Sequence, residues 1–469
     1  MTGIAAHGAY VPITRLPLSL AAGRAAVEGG PERAVGDYDE DAVTMAVTAA
    51  IDCLTGIARE SVDAVYFAST TYPLREKQGA ALIAKALDLR RDVLTQDHAG
   101  SLRAGTAALE SALHAVAAGA LRAVLVVASD CRLGAPRGAL EAKLGDGAVA
   151  LLVTANPVAR FEGSCSRADE LQDVWRIEGE RFTHTWEDRF AIQEGYTPNM
   201  IAALRGLLEK SGRCAEDFAK VALYAPDERS AGAILKKLGF KDQQVQDPLF
   251  GRLGNTGTPF ALMLLAHALE TAGPGDRLIT AAYGDGAHAL AFEVVRPAPP
   301  RRGMAWHLAR RRAVASYDTY LRARGLDAVE WQSGADLGLS ATIRFRERDA
   351  DIAFLAARCT SCGQVHFPKP RVCAKCFAKD RWEPHRLSDR RGRLLAYTFD
   401  YFFPAAEPPT IMVMTEVDGC RVHVQMTNVR PADVALDQPV EYVFRKIHDA
   451  GGKPNYFWKA SPLAEATHG

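Results

Sequence analysis

The chain has 469 residues, 48% of them hydrophobic and 24% charged, with 56 basic residues balancing 56 acidic ones. That length allows two or three domains, and the neutral balance argues against a nucleic-acid binder. No run of about eighteen apolar residues is present, which argues against a membrane span. The start, MTGIAAHGAYVP, lacks the basic and apolar regions of a secretory signal. Of nine cysteines, five are scattered singly (Cys53, Cys131, Cys165, Cys214 and Cys420), which suits a reducing cytoplasm better than a disulfide framework.

Residues 1–297 alternate two kinds of segment. Predicted strands are DAVYFAST, AVLVVAS, AVALLVT, KVALYAP, RLITAAY and ALAFEVV; between them run stretches with helical spacing such as AALIAKALDL and MIAALRGLLEKSG. Strands alternating with helices indicate an α/β domain with buried sheets. Within it, TQDHAGSLRAGTAAL (Thr95–Leu109) places small residues at the entry to an alanine-rich helix, where Ser101 reads either as an N-cap or as a nucleophile. LGDGAVALLV (Leu144–Val153) is echoed by YGDGAHALAFEV (Tyr283–Val294), which points to a duplicated half, with two unrelated Gly-Asp-Gly turns as the plain alternative.

The prolines and arginines of RPAPPRRGM (Arg296–Met304) mark a linker, and a helical stretch, HLARRRAVASYDTYLRARG, follows; together they assign 298–345 to a linker and helical segment. Residues 346–387 carry two Cys-x-x-Cys knuckles, Cys359/Cys362 and Cys373/Cys376, in CTSCGQVHFPKPRVCAKC. Each knuckle offers two thiolates to one tetrahedral ion, and four thiolates leave no position for a reactive water, so the expected zinc is structural. A redox dithiol needs only one pair and usually a βαβ setting. Over 388–469 the short alternating strands RLLAYTFDYF, IMVMTEV, CRVHVQMT and PVEYVFRKI predict a small β-barrel.

These motifs carry a resemblance. GIAAHGAYVPITRL, the segment DVWRIEGERFTHTWEDRFAIQEGY (Asp173–Tyr196), GRLGNTGTPFALMLL and YGDGAHALAF resemble archaeal-type hydroxymethylglutaryl-CoA synthase, in the thiolase-like superfamily. Residues from about 345 to 460 resemble the zinc-ribbon and OB-fold proteins that accompany thiolase-like enzymes. The fold implied is α/β, with thiolase-like duplicated α/β/α/β/α layers followed by a rubredoxin-like zinc ribbon and a small OB-fold β-barrel. The partners implied are an acyl-CoA substrate, with coenzyme A entering as part of it, and a second copy of the chain in a homodimer.

The family's glutamate, cysteine and histidine are not matched. The glutamate falls at or near Thr70, the cysteine on Leu102 and the histidine on Tyr224, while Asn255 in LGNTG does match. Leucine cannot attack a thioester. Ser101 is one residue away and needs a base, for which His98 is near in sequence; Cys131 is a further thiol on a different strand. His288, in the second glycine turn, reads either as a base of suitable pKa or as a solvent-facing turn residue. Asp285 and Tyr283 read as turn and packing residues. Arg229, Lys236 and Lys237 lie where the family's basic residues approach the CoA phosphates, or else on a solvated helix face.

Two routes need no cysteine acyl-enzyme. One is aldol or retro-aldol chemistry on a β-hydroxyacyl-CoA, which needs a base for the β-hydroxyl proton and a site for the enolate. Aldolases that cut sterol side chains resemble this arrangement, lacking the cysteine and using tyrosine; Tyr224 is then acid/base, with its pKa lowered for neutral pH, and Asn255 donates to the thioester oxygen. The other is an acyl-CoA-binding scaffold without catalysis. Acyl transfer by another nucleophile is the alternative enzymatic reading.

Overall fold

The computed structural model describes residues 1–299, 301–327, 341–402, 405–450 and 453–464. The chain divides into two compact units. The first comprises Met1–Asp37, Asp41–Ala84 and Leu89–Tyr317; the second comprises Tyr38–Glu40, Lys85–Asp88 and Asp318–Gly469.

Nine strands form the framework of the first unit: β1 (Gly3–Tyr10), β2 (Ala64–Ala68), β3 (Leu94–His98), β4 (Ala123–Cys131), β5 (Asp146–Thr154), β6 (Ala159–Ala168), β7 (Lys220–Leu223), β8 (Arg277–Tyr283) and β9 (Gly286–Val294). Their order is β7-β8-β9-β6-β1-β5-β4-β2-β3. The order reads as two copies of one pattern. In the first half β2 runs parallel to β4, which pairs antiparallel with β5, which pairs antiparallel with β1. In the second, β7 runs parallel to β8, which pairs antiparallel with β9, which pairs antiparallel with β6. Within the sheet the halves pair through Gly3–Arg160 and Ile4–Ala159. The glycine-turn echo therefore marks a duplication.

The runs AVLVVAS and AVALLV are apolar throughout because β4 and β5 are buried on both faces. Four helices cover these faces: α1 (Ala42–Cys53), α2 (Ala104–Ala117), α3 (Thr197–Ser211) and α4 (Phe260–Leu269). The α4 sequence FALMLLAHAL is buried on nearly every side, as befits a helix enclosed by protein. It packs on β7 and β8 of one half, on β1 and β5 of the other, and on α2. Helices α1 and α3 pack on the strands of one half each. This is the α/β/α/β/α layering expected. The two central helices meet where a β-carbon on Gly105 would lie 2.7 Å from the Thr258 carbonyl oxygen.

The segment 298–345 departs from a simple linker. Helix Gly303–Ala309 and strand Arg312–Ala313 belong to the first unit, with the strand beside Thr14 and Arg15. Met304, Val314 and Tyr317 are buried among the arginines that gave the segment its linker character. Residues 300 and 328–340 lie outside the described residues, as do 403–404, 451–452 and 465–469 of the predicted barrel domain.

In the second unit, strand Leu355–Cys359 pairs with Val365–His366 on one side and Trp382–Arg386 on the other, forming the ribbon. Five strands, Gly392–Asp400, Thr410–Val417, Cys420–Met426, Pro439–Ala450 and Lys453–Pro462, close into a barrel, as an OB-fold requires. Phe354 stacks on Trp458 at 5.6 Å, and the Trp458 indole donates to the Ile352 carbonyl at 3.0 Å. Two buried cations of this unit are matched by its own carboxylates, Lys459 by Asp39 at 2.9 Å and Arg445 by Glu40 at 2.9 Å. No helix among the described residues is long and apolar enough to cross a membrane.

Candidate active site and metal centre

The loops at one end of the strands of the first unit converge on the start of α2. Asp130, near the end of β4, is their anchor. Its carboxylate accepts from Ser69 Oγ at 3.0 Å, from Thr70 N and Oγ1 at 2.8 and 2.9 Å, from Thr71 N and Oγ1 at 3.0 and 2.9 Å, and from Thr258 N at 2.8 Å. Thr70, where the resemblance expects a glutamate, is thus tied to a buried carboxylate.

Asn255 is fixed by both halves. Its backbone N–H donates to the Lys143 carbonyl at 2.8 Å, and its carbonyl accepts from Gly145 N at 2.9 Å. Gly145 and Gly254 allow this approach: β-carbons there would lie 2.2 Å from Leu253 O and 2.8 Å from Leu144 O. The Asn255 side-chain oxygen accepts from Arg132 Nη1 at 3.1 Å and from Gly257 N at 2.9 Å, and its Nδ2 donates to the Ala225 carbonyl at 2.8 Å.

Tyr224 follows β7. It lines one cavity with the side chains of Asn255 and Arg132. Burial pushes this phenol above its ordinary pKa, although Arg132 and Asn255 pull the other way. The expectation of a lowered pKa is therefore reversed: desolvation outweighs the charge of Arg132, and Tyr224 stays a protonated donor at neutral pH. Tyr196 and Tyr283 complete an aromatic cluster, with ring centroids 6.4 and 6.2 Å from Tyr224, and Tyr196 Oη donates to the Tyr224 carbonyl at 2.7 Å. Tyr283 reads as packing in the sequence, yet it lines the cavity beside Asp173, and burial, with Asp173 adding to it, pushes its phenol above the ordinary pKa.

Arg132, Asp173, Tyr196, Tyr224, Asn255 and Tyr283 line one cavity of about 60 Å³. The described residues that line it include no cysteine, serine or histidine. Arg132, Asp173 and Tyr283 were not singled out as acting residues by the sequence. Asp173 does head the segment peculiar to the resembled branch, which was a usable signal; Arg132 reaches the cavity only through the fold.

The remaining candidates lie elsewhere. Ser101 Oγ accepts from Arg103 N at 3.4 Å, a weak local turn at the entry to α2, and no bond links it to His98 among the described residues. His98 sits on the outermost strand β3 with its ring 5.7 Å from Tyr66; burial lowers its pKa, and its Nε2 has no hydrogen-bond partner among the described residues. His288, the third residue of β9, is buried rather than solvent-facing, and its Nε2 stands 3.2 Å from Glu110 Oε2 on α2. Glu110 also accepts from Ser164 Oγ, and these two partners hold its pKa down at about 2 against burial, His288 contributing most. Asp285 is an exposed turn residue with φ of 49°. Cys131 is half-buried, its N–H donating to Thr71 Oγ1 at 2.8 Å. Arg229 precedes helix Ser230–Lys237 beside the cavity residue Asp227, whereas Lys236 and Lys237 are exposed in its last turn.

In the ribbon the Sγ atoms of Cys359, Cys362, Cys373 and Cys376 all lie within 4.8 Å of one another. Cys359–Cys376 and Cys362–Cys373 are each 3.7 Å apart. A tetrahedral zinc with bonds of about 2.3 Å sets its sulfurs about 3.8 Å apart, so the cage fits that ion. His366 Nε2 is 3.4 Å from Cys373 Sγ, placed to hydrogen-bond a ligand thiolate.

Residues 346–381 match the family model described as "ChsH2, rubredoxin-like zinc ribbon domain". The hydroxymethylglutaryl-CoA synthase of Archaeoglobus fulgidus is 31% identical over 339 residues, covering 69% of this chain and 98% of that one. That of Aeropyrum pernix is 32% identical over 346 residues, covering 69% and 94%. Among solved structures, MvaS in complex with 3-hydroxy-3-methylglutaryl coenzyme A matches with a TM-score of 0.61 at 24% identity, over 70% of this chain and 94% of that chain. The 3-oxoacyl-(acyl carrier protein) synthase III of Pseudomonas aeruginosa matches with a TM-score of 0.57 at 20% identity, over 64% and 99%; these two likenesses are of fold. The chain belongs to the hydroxymethylglutaryl-CoA synthase family of thiolase-like acyl-CoA condensing enzymes, and carries a zinc ribbon and a β-barrel in the same polypeptide.

Proposed function

We propose that this protein makes or breaks a carbon–carbon bond in a β-hydroxyacyl-CoA by aldol chemistry, without a covalent acyl-enzyme. The observation that carries the reading is the composition of the cavity: three hydrogen-bonding groups, Tyr224, Arg132 and Asn255, meet in a space whose described lining holds no nucleophilic thiol or hydroxyl beyond threonine and tyrosine. Cleavage transfers the β-hydroxyl proton to a base, turns the β-carbon into a carbonyl, and leaves the electron pair as an enolate on the thioester oxygen. Buried, preorganised donors stabilise such a charge without having to reorganise. Tyr224 suits this role because burial keeps its proton in place.

A structure of a relative is complexed with CoA; in this chain Arg229, with Lys236 and Lys237 further along the same helix, supplies charge for the CoA phosphates. Among the described residues β3 is the last strand on its side of the sheet, and an edge of this kind is where a second copy would continue the sheet into a homodimer.

Acyl transfer is the second reading, and the relatives' name as synthases favours it. It requires a nucleophile, for which Ser101 is the nearest to the family position. The two readings separate when purified protein is incubated with a panel of β-hydroxyacyl-CoA thioesters. Aldol cleavage releases a ketone or aldehyde together with acetyl- or propionyl-CoA. A scaffold binds the thioester and releases nothing, and an acyltransferase accumulates a covalent acyl group.

A further inference from the structure

Aldol cleavage needs a group that takes the β-hydroxyl proton, and the donors around Tyr224 cannot supply it. We propose that Tyr283 is the catalytic residue that receives this proton and that Asp173 acts through it; the inference rests on the enolate reading above. Asp173 immediately precedes the short strand Val174–Trp175 and is only 7% exposed. Its side chain and that of Tyr283 line the same cavity, and among the described residues Asp173 forms no ion pair. A buried carboxylate without a cation is costly, and the fold keeps one at the wall of the cavity. The fold also makes room for its partner: a β-carbon on residue 195 would lie 2.2 Å from the Tyr283 hydroxyl oxygen, so glycine at that position is what admits the phenol.

The substrate β-hydroxyl passes its proton to Tyr283 Oη as the Tyr283 proton moves to Asp173. The Cα–Cβ bond breaks, the β-carbon becomes a carbonyl, and the electron pair moves to the thioester enolate facing Tyr224, Arg132 and Asn255. Return of the proton to the α-carbon yields the shortened acyl-CoA and regenerates the carboxylate. Burial raises the pKa of Asp173, with the Asp285 charge adding to the shift and its hydrogen bonds opposing it. The groups facing it are Tyr283 on β8, Tyr224 after β7, Asp285 in the glycine turn, and Arg132, Lys143 and Asp188 around the cavity.

The test uses the full chain and a β-hydroxyacyl-CoA that the wild type cleaves. Asp173→Asn and Tyr283→Phe each lower kcat by about 100-fold or more with KM changed only a few-fold, Asp173→Asn abolishes the acid limb of the kcat/KM pH profile, and Asp173→Glu recovers part of the rate. Turnover within a few-fold of wild type in either Asp173→Asn or Tyr283→Phe, with the acid limb intact, overturns the inference alone. Should Asp173→Asn fail to fold, Tyr283→Phe decides by the same criterion. A wild type that binds the thioesters and cleaves none overturns the enolate reading and this inference with it.

Discussion

Gly284, in the second glycine turn, lies directly on the turn that leads into α2: a β-carbon there would come 2.9 Å from Leu102 N and 2.7 Å from Ser101 Oγ. The turn of one half is thus seated on the helix entry of the other, at the position where the resemblance places the family's cysteine. The nearest atoms include backbone, which cannot give way as a flexible side chain can. Gly284→Ala is expected to cost about 1–3 kcal/mol, read as a fall in Tm, and to reduce turnover by disturbing the adjacent Tyr283. Gly232→Ala, where nothing lies within 4 Å of the added carbon, serves as the control and is expected to be neutral or slightly stabilising.

The donor cluster makes a separate prediction. Tyr224→Phe and Arg132→Gln each remove one partner from the set centred on Asn255. Loss of one preorganised donor costs about 100- to 1000-fold in kcat. Steady-state kinetics with a cleaved thioester checks this; a change confined to KM would place both residues in ground-state binding instead.

Glu110 predicts a pH dependence of stability. Its pKa is held at about 2, chiefly by His288, against an ordinary value of 4.5. A depressed carboxylate stabilises the fold above pH 4.5, and that contribution disappears as pH falls through the folded value. Because the group is partly exposed, the full shift is discounted for solvent screening to about 1–2 kcal/mol. Denaturant unfolding should show Glu110→Gln less stable than wild type at pH 6–7, with the gap closing toward about pH 2. An equal gap at both ends of that range would mean that the loss is one of packing.

The ribbon predicts one tightly held zinc per chain. Cobalt substitution should give the spectrum of a tetrahedral four-sulfur site, and Cys373→Ser should lower metal content and the Tm of the second unit. Strong chelators are expected to release the ion along with the ribbon's structure. A protein purified without metal and with unchanged stability would count against the assignment.

Much of the fold was legible. Two Cys-x-x-Cys knuckles suffice for the zinc cage because four thiolates converge on one geometry. The continuous apolar runs of β4 and β5 betray strands covered on both faces, and the Gly-Asp-Gly echo marks the duplication because both glycine turns must pass close to backbone. The site was only half legible. Of the residues lining the candidate cavity, Asn255 and Tyr224 were named from motif position, whereas Arg132 and Asp173 come from stretches far apart in sequence that meet only in the fold. Residue type could not place His288: it read as a base or as a solvent-facing turn residue, and its register in β9 turns it toward Glu110 on α2. Tyr224 was named, but with its proton affinity reversed, because burial is a property of the fold rather than of the sequence.

The central claim is that bond-making or bond-breaking proceeds through an enolate with nothing attached to the protein. Intact-mass measurement of the enzyme, quenched during turnover of a β-hydroxyacyl-CoA or acetyl-CoA, tests it most directly. The account predicts only the unmodified mass while ketone or aldehyde is released. An acyl adduct mapped to Ser101, or to any of the cysteines, would contradict it.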